Sequence, residues 1–188
     1  MGGLFKVDKK ILQVTFRQDQ RKWETDMRIG KSRGSYLPVL TKLVQQTTGP
    51  ILELGVGFCS TPYLHWVCFP KKRRLVSYEN NPEYHPFAES WKDSFHEIHC
   101  IRNWDDIDIS EPWTIAFVDH NPAPRRGMEI AKLFHAEYIV IHDSENSNAA
   151  KHGLHRIYRK FKYRYKYTAA YPFTSIWSNK HDVRGFEV

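Results

Sequence analysis

Short apolar runs, separated by amphipathic or polar segments, follow one another along the chain from about residue 35 onward. Leu37, Leu40 and Val44 recur at helical spacing before Gly49-Pro50, and further helices are predicted over 61–68, 82–95 and 126–134. Alternation of this kind is typical of a parallel sheet with helices as crossovers. The predicted strands are 51–54, 75–78, 97–101, 114–118, 138–141, 163–168 and 174–177.

The last two apolar runs come after the last predicted helix, 151–160, and favour an antiparallel hairpin. We therefore expect an α/β fold class. It is a single Rossmann-like domain with a seven-stranded, mostly parallel sheet flanked by helices and a C-terminal antiparallel hairpin. This domain is predicted to span 35–188. Residues 1–34 are polar and basic, and we interpret them as a separate N-terminal arm, either partly ordered or a disordered tail.

Composition narrows the function classes without selecting one. The formal net charge is +7, with excess bases in the first forty residues and in 151–166, which favours anionic partners or substrates. The three cysteines, Cys59, Cys68 and Cys100, include no Cys-x-x-Cys pair, which argues against a disulfide framework or a zinc site. We find no signal-like or membrane-length apolar segment, and expect a cytoplasmic protein with no membrane partner.

Two neighbouring strand ends carry the features of a nucleoside-cofactor site. The first strand leads into Gly55-Val56-Gly57, where the missing side chains allow a tight turn and close approach of a ligand. The second strand leads into Glu79, whose carboxylate can accept hydrogen bonds from both hydroxyls of a ribose. An adenosine-type cofactor is therefore predicted over the carboxyl ends of the sheet.

The glycine loop differs from a dinucleotide fingerprint, because Ser60 stands where the third glycine is required. Glu53 would repel a pyrophosphate but suits a cofactor with an ammonium group. The stretch Glu53-x-Gly55-x-Gly57 resembles motif I of the class I S-adenosylmethionine-dependent methyltransferases, with Cys59 in place of the last glycine. The resemblance implies S-adenosylmethionine as cofactor and Glu79 as the ribose acid.

Two further cofactor contacts are expected. Asp105 follows the third predicted strand, where this family contacts the adenine and often uses an acid to accept from the exocyclic amine. Thr61, at the start of the first helix after the glycine loop, could meet the methionine carboxylate together with backbone N–H groups. Thr61 could instead be simply an N-terminal residue of that helix.

Residues 36–146 also resemble the small catechol-type O-methyltransferases, through Leu-Glu-Leu-Gly at 52–55, Glu-Asn-Asn-Pro at 79–82 and Val-Asp-His at 118–120. That resemblance implies magnesium held by the fourth-strand Asp and by an Asp-Asn pair after the fifth strand. Here the pair reads Asp143-Ser144, and the family's lysine is missing. Two carboxylates could still hold Mg²⁺, but we do not favour it and assign no metal ligand.

Catalysis is assigned to Asp119 and His120, at the end of the fourth predicted strand. The imidazole could act as a general base oriented by the carboxylate, or the ring could be packed against the adenine or be purely structural. Arg125 and Arg126 follow, and would suit either an anionic group on the acceptor or a solvated helix start.

Basic and aromatic residues alternate over 160–167, which is compatible with single-stranded nucleic-acid binding but favours a β-strand with one solvated face. We expect methyl transfer to an oxygen or nitrogen of a small-molecule acceptor. The alternatives are a nucleic-acid-binding or non-catalytic module that retains the fold, and an NAD-dependent oxidoreductase. The oligomeric state is not predicted.

Overall fold

The computed structural model describes residues 33–188, so the predicted arm lies almost wholly outside the described residues. Seven strands form one sheet, as the sequence predicts. Their bounds are β1 Ile51–Leu54, β2 Leu75–Glu79, β3 His96–Cys100, β4 Ile115–Val118, β5 Tyr138–Ile141, β6 Tyr163–Tyr167 and β7 Thr174–Ser178. The α-helices are α1 Leu37–Gln46, α2 Ser60–Cys68, α3 His85–Glu89, α4 Arg126–Lys132 and α5 Asn146–Lys151.

The strands lie in the order β3-β2-β1-β4-β5-β7-β6. The first five are parallel, and β7 is antiparallel to both β5 and β6, which confirms the C-terminal hairpin. The order reverses between β1 and β4. In an open parallel sheet, ligands bind in the crevice beyond the carboxyl ends of the strands at such a switch point.

Side chains alternate between two hydrophobic layers, one on each face of the sheet. Leu52 and Leu54 of β1 lie in the layer that includes Trp104 and Trp113, and Ile51 lies in the layer beneath α1 and α2. Glu53 shares the side of Ile51 by strand periodicity, so a carboxyl group is placed inside the second layer.

Two helices differ from the predicted bounds. The helix expected over 82–95 is reduced to α3. A turn in which the N–H of Glu83 donates to the side chain of Asn81 precedes it, and a second turn, in which Asp93 accepts from the N–H and hydroxyl of Ser94, leads into β3. The helix expected over 151–160 is replaced by α5 and two short 3₁₀ turns, Leu154–Arg156 and Tyr158–Lys160. Gly153, with φ +70°, separates them.

Among the described residues, no helix has both the length and the apolar character needed to cross a membrane.

Candidate functional site

A cavity of about 790 Å³ lies over the switch point of the sheet. Four strand ends converge on it. They contribute residues 55–59 after β1, 79–82 at and after β2, 119–122 after β4, and 142–143 after β5. Tyr36 and Pro172 close one side, where the hydroxyl of Ser35 donates to the carbonyl of Pro172 at 2.7 Å. The cavity therefore stands where the sequence places a cofactor.

The loop after β1 can exist only with glycine at its first turn. Gly55 has φ +95°, and a Cβ on it would lie 2.7 Å from the Cα of His120. Gly57 is also tight, since its Cβ would lie 3.0 Å from the hydroxyl oxygen of Ser60. The two glycines thus bring the loop against the end of β4 and leave backbone atoms facing the cavity.

Glu79 lies at the end of β2 with its carboxylate at the cavity wall. One oxygen accepts from the backbone N–H of Val56 at 2.9 Å and the other from that of Asn81 at 2.6 Å. Burial raises the pKa of Glu79, and the backbone donors oppose that rise. Each carboxylate oxygen retains a lone pair, so a ribose diol can still donate to Glu79.

Glu53 occupies a different position from the one a cofactor contact requires. Its side chain is wholly buried beneath the glycine loop and is not part of the cavity lining. The hydroxyl of Thr61 lies 3.0 Å from both carboxyl oxygens, and the hydroxyl of Ser77 donates to one of them at 2.6 Å. Thr61 in turn accepts from the N–H of Gly57 at 3.1 Å. Glu53 and Thr61 therefore hold the glycine loop from below.

The series of polar contacts that includes Glu53 and Ser77 continues away from the cavity. Ser77 lies 3.0 Å from Nε2 of His96, and Nδ1 of His96 lies 3.1 Å from Nδ1 of His65. Burial lowers the pKa of His96 to about 4, so this ring is neutral near pH 7. Burial also raises the pKa of Glu53 to about 7, although neighbouring hydroxyls counter that effect.

The ends of β4 and β5 are joined by one buried guanidinium. Arg126 donates to the carbonyl oxygens of His120 and His142 at 2.8 and 3.1 Å. Its terminal nitrogens lie 2.9 Å from Asp119 and 3.5 Å from Asp143. Arg126 therefore neutralises part of the acidic rim, and its burial excludes the solvated helix start that the sequence analysis left open.

His142 faces an acceptor at each ring nitrogen. Nδ1 lies 3.1 Å from Asp119, and Nε2 lies 3.0 Å from the hydroxyl of Ser35, which gives its own proton to Pro172. This arrangement favours the imidazolium form. Burial opposes it, but the nearby carboxylate of Asp119 outweighs burial and raises the pKa of His142.

Asp119 and Asp143 differ in electrostatic environment. Burial would raise the pKa of Asp119, but His142 and Arg126 lower it overall. The pKa of Asp143 is raised, chiefly by burial, because its neighbouring cations are more distant. Asp143 also adopts φ +53°, in the left-handed region that Asp tolerates better than most residues, and lines the cavity. Asp143 is thus the better proton acceptor of the two.

His120 is enclosed on all sides. Its side chain has no exposed area, the ring lies 4.2 Å from that of Trp104, and Nε2 lies 3.4 Å from a carboxyl oxygen of Glu129. Burial lowers the pKa of His120. The ring therefore has the packed position of a structural histidine, and only the backbone of His120 adjoins the cavity.

Asp105 lies outside the cavity lining. Its exposed carboxylate is 2.6 Å from a guanidinium nitrogen of Arg125, which lowers its pKa. The assignment of Asp105 to the adenine stays a prediction, and this geometry does not support it. Aromatic residues that the sequence analysis did not select line the cavity instead, namely Phe58 and Tyr84, with ring centroids 5.3 Å apart.

Three residues of the cavity are close enough together to be considered as ligands of a divalent cation. Asp119, His142 and Asp143 each place one potential ligand atom within 4.8 Å of the others. The donor set does not fit Mg²⁺, which prefers oxygen ligands in near-octahedral geometry. His142 offers nitrogen rather than oxygen and lies within 3.1 Å of Asp119, and Arg126 already supplies positive charge to both carboxylates. We therefore assign no metal to this site.

Replacing Glu53 by Gln should remove a pH-dependent cost of folding. A raised pKa means that the folded protein holds a proton which the unfolded chain releases, so wild-type stability falls as pH rises from about 4.5 to about 7. The amide keeps the shape and cannot ionise. Between about pH 5 and about pH 8, the wild type should lose about 2 kcal/mol relative to Glu53→Gln in urea unfolding. Parallel pH profiles would contradict the assignment.

Replacing Arg126 by Met should destabilise the protein by about 3 kcal/mol, because two partly buried carboxylates lose their shared cation. Arg74 provides a matched control, since it also bridges two carboxylates, Glu97 and Glu111, but at the surface. Arg74→Met should cost less than about 1 kcal/mol. Urea unfolding measures both, and equal losses would show that Arg126 is not a structural cation of the rim.

The similarity to known proteins is found among solved structures. No protein-family model matches the sequence, and no curated protein matches it. Among solved structures, cofactor-bound Rv0187 from MTB superposes with a TM-score of 0.59 at 16% identity, covering 79% of this chain and 80% of that one.

Two further structures are similar. SAH-bound methyltransferase PaMTH1 of Podospora anserina has a TM-score of 0.55 at 10% identity, covering 96% of this chain and all of that one. The N-terminal domain of human METTL16 in complex with SAH has a TM-score of 0.54 at 11% identity, covering 80% and 71%. The chain therefore has the fold of the class I S-adenosylmethionine-dependent methyltransferases.

Proposed function

We propose that this protein is an S-adenosylmethionine-dependent methyltransferase that acts on a nitrogen or oxygen nucleophile. One observation carries the proposal. In a methyltransferase fold, the glycine loop after β1 and the carboxylate of Glu79 face the same cavity at the switch point of the sheet. The structures similar to this chain include SAH complexes, which supports the same cofactor here.

Different described residues are suited to different parts of the cofactor. Glu79 is suited to the ribose hydroxyls, and the backbone of 55–57 to the methionine portion, because the glycines leave it accessible. Glu53 and Thr61 hold that loop from below. When bound, S-adenosylmethionine supplies a methyl group on a positively charged sulfur, and the acceptor's lone pair forms the new bond as the carbon–sulfur bond breaks, its electron pair going to sulfur.

The acceptor must also lose a proton. Asp143 is the group suited to take it, because its carboxylate lines the cavity and its pKa is raised by burial. Asp119 is held by Arg126 and His142 and serves as a positioning residue. The sequence-based choice of His120 as base finds no support in an enclosed ring. Such a site accelerates transfer mainly by aligning donor and acceptor.

The test is calorimetric titration of the full chain with S-adenosylhomocysteine and, separately, with NAD⁺. The wild type should bind S-adenosylhomocysteine with micromolar affinity, about −8 kcal/mol. Glu79→Ala should weaken binding by at least about tenfold, because the ribose loses its acceptor. Glu83→Ala is the control, since Glu83 is an exposed acid of the same loop outside the cavity lining.

Thermal unfolding of each variant separates lost binding from lost folding. Binding that is unchanged in Glu79→Ala would remove this residue from the site. Absence of S-adenosylhomocysteine binding by a folded wild type would overturn the proposed function, and binding of NAD⁺ in its place would support the oxidoreductase alternative.

A further inference from the structure

Within the described residues, positive charge is concentrated toward the C-terminus. Residues 151–188 contain nine Lys and Arg against two Asp and Glu, whereas residues 1–150 contain nineteen of each. Within 33–150 acids outnumber bases by fifteen to eleven. The described domain is therefore divided into a mildly acidic body and a strongly basic C-terminal segment.

The fold places this segment along one edge of the sheet. Strand β6 is last in the strand order, so its outer edge has no strand partner within residues 33–188. Tyr163, Tyr165 and Tyr167 pack toward the hydrophobic layer, which confirms the prediction of a strand with one solvated face. The exposed cations of this basic edge are Lys151, Arg156, Arg159, Lys160, Lys162 and Lys166.

These cations have no acidic partners in the described part of the chain. Lys166 donates to the amide oxygen of Asn146 at 2.9 Å, and the ammonium of Lys162 lies 4.8 Å from the ring centroid of Tyr163. None of the six forms an ion pair with a carboxylate of residues 33–188. Lysines on an edge strand also discourage pairing with other chains. That role does not account for the cations that precede β6.

The loop that follows β6 links the basic edge to the cavity. β6 runs parallel to β5, so Tyr167 lies at the same end of the sheet as Asp143. The loop after β6 includes Pro172, which lines the cavity. It is held to the chain just after Asp143, since Ser144 donates to the carbonyl of Phe173 through both its N–H and its hydroxyl, at 3.0 and 3.1 Å.

Exposed aromatic rings accompany the charges. Tyr171, beside Pro172, is 68% exposed, and Tyr158 is 48% exposed with the guanidinium of Arg164 lying 4.2 Å from its ring centroid. Single-stranded nucleic acids are bound by this combination, in which cations follow the phosphates and aromatic rings stack on bases. A lipid surface would need only the charges, so the rings favour nucleic acid.

We propose that the methyl acceptor is part of a single-stranded nucleic acid, which binds along the basic edge and presents a base or sugar to the cavity. This inference rests on the proposed function for the chemistry of transfer, but the binding surface is tested without it. It replaces the expectation of a small acceptor, which was based only on the modest length of the domain.

The experiment is fluorescence anisotropy of the full chain with labelled single-stranded RNA and DNA of about twelve nucleotides, over a range of salt. The test variant combines Lys160→Ser, Lys162→Ser and Lys166→Ser. The matched control combines Lys71→Ser, Lys72→Ser and Lys92→Ser, three exposed lysines near β2 and β3 at the other side of the sheet.

The wild type should bind one or both oligonucleotides with a steep salt dependence. The test variant should reduce the slope of log K against log salt by about 2, since each phosphate contact contributes about 0.7. The control variant should match the wild type. Tyr171→Ala should weaken oligonucleotide binding by about tenfold and leave heparin binding unchanged, because heparin has charges but no bases.

Three results would overturn the inference: no oligonucleotide binding by the wild type, equal effects of the two lysine triples, or tighter binding to phosphatidylserine vesicles than to either oligonucleotide. An oligonucleotide affinity insensitive to Tyr171→Ala would also overturn it, in favour of a general polyanion surface. Titration of both lysine triples with S-adenosylhomocysteine keeps the proposals separate, since its binding depends on the cavity and not on the basic edge.

Discussion

A buried carboxyl group beneath the glycine loop organises the β1 side of the cavity. Glu53 lies in a layer that is otherwise hydrophobic, and its cost is offset by the hydroxyls of Thr61 and Ser77. The hydroxyl oxygen of Thr61 also accepts a hydrogen bond from the N–H of Gly57, which links Glu53 to the glycine loop. The backbone that faces the cavity is thereby held from below, and the cavity wall is left free for a ligand.

The opposite side of the cavity depends on a second buried charge. Arg126 binds carbonyl oxygens at the ends of β4 and β5, and it also sets the state of the acids beside them. Because the cation is closer to Asp119 than to Asp143, two chemically identical side chains acquire different proton affinities. The carboxylate of Asp119 is therefore the more strongly stabilised as an anion, and that of Asp143 the more readily protonated.

The strand pattern and the position of Glu79 could be predicted from the sequence, because strand periodicity and glycine geometry are local properties. The burial of Glu53 could not be predicted. The local sequence around a carboxyl group at a strand end is the same whether that group faces a ligand or the hydroxyls of two other elements. His120 was misleading for a related reason: its neighbour Asp119 faces the cavity, while its own ring packs on Trp104, distant in sequence.

The positions of Arg126 and His142 in the site depend on contacts between elements far apart in the chain. Sequence spacing carries little information on such contacts. The charge concentrated in 151–166 was visible in the sequence. The location of that charge in the fold required the strand order. This order places β6 at an edge of the sheet, and the loop after β6 is held beside the cavity.

The most direct test of this account is a crystal structure of the protein with S-adenosylhomocysteine. The account predicts the ribose hydroxyls within hydrogen-bonding distance of Glu79, the homocysteine portion over 55–57, and the sulfur facing the Asp143 side of the cavity. A ligand bound elsewhere, or one whose ribose makes no contact with Glu79, would contradict it.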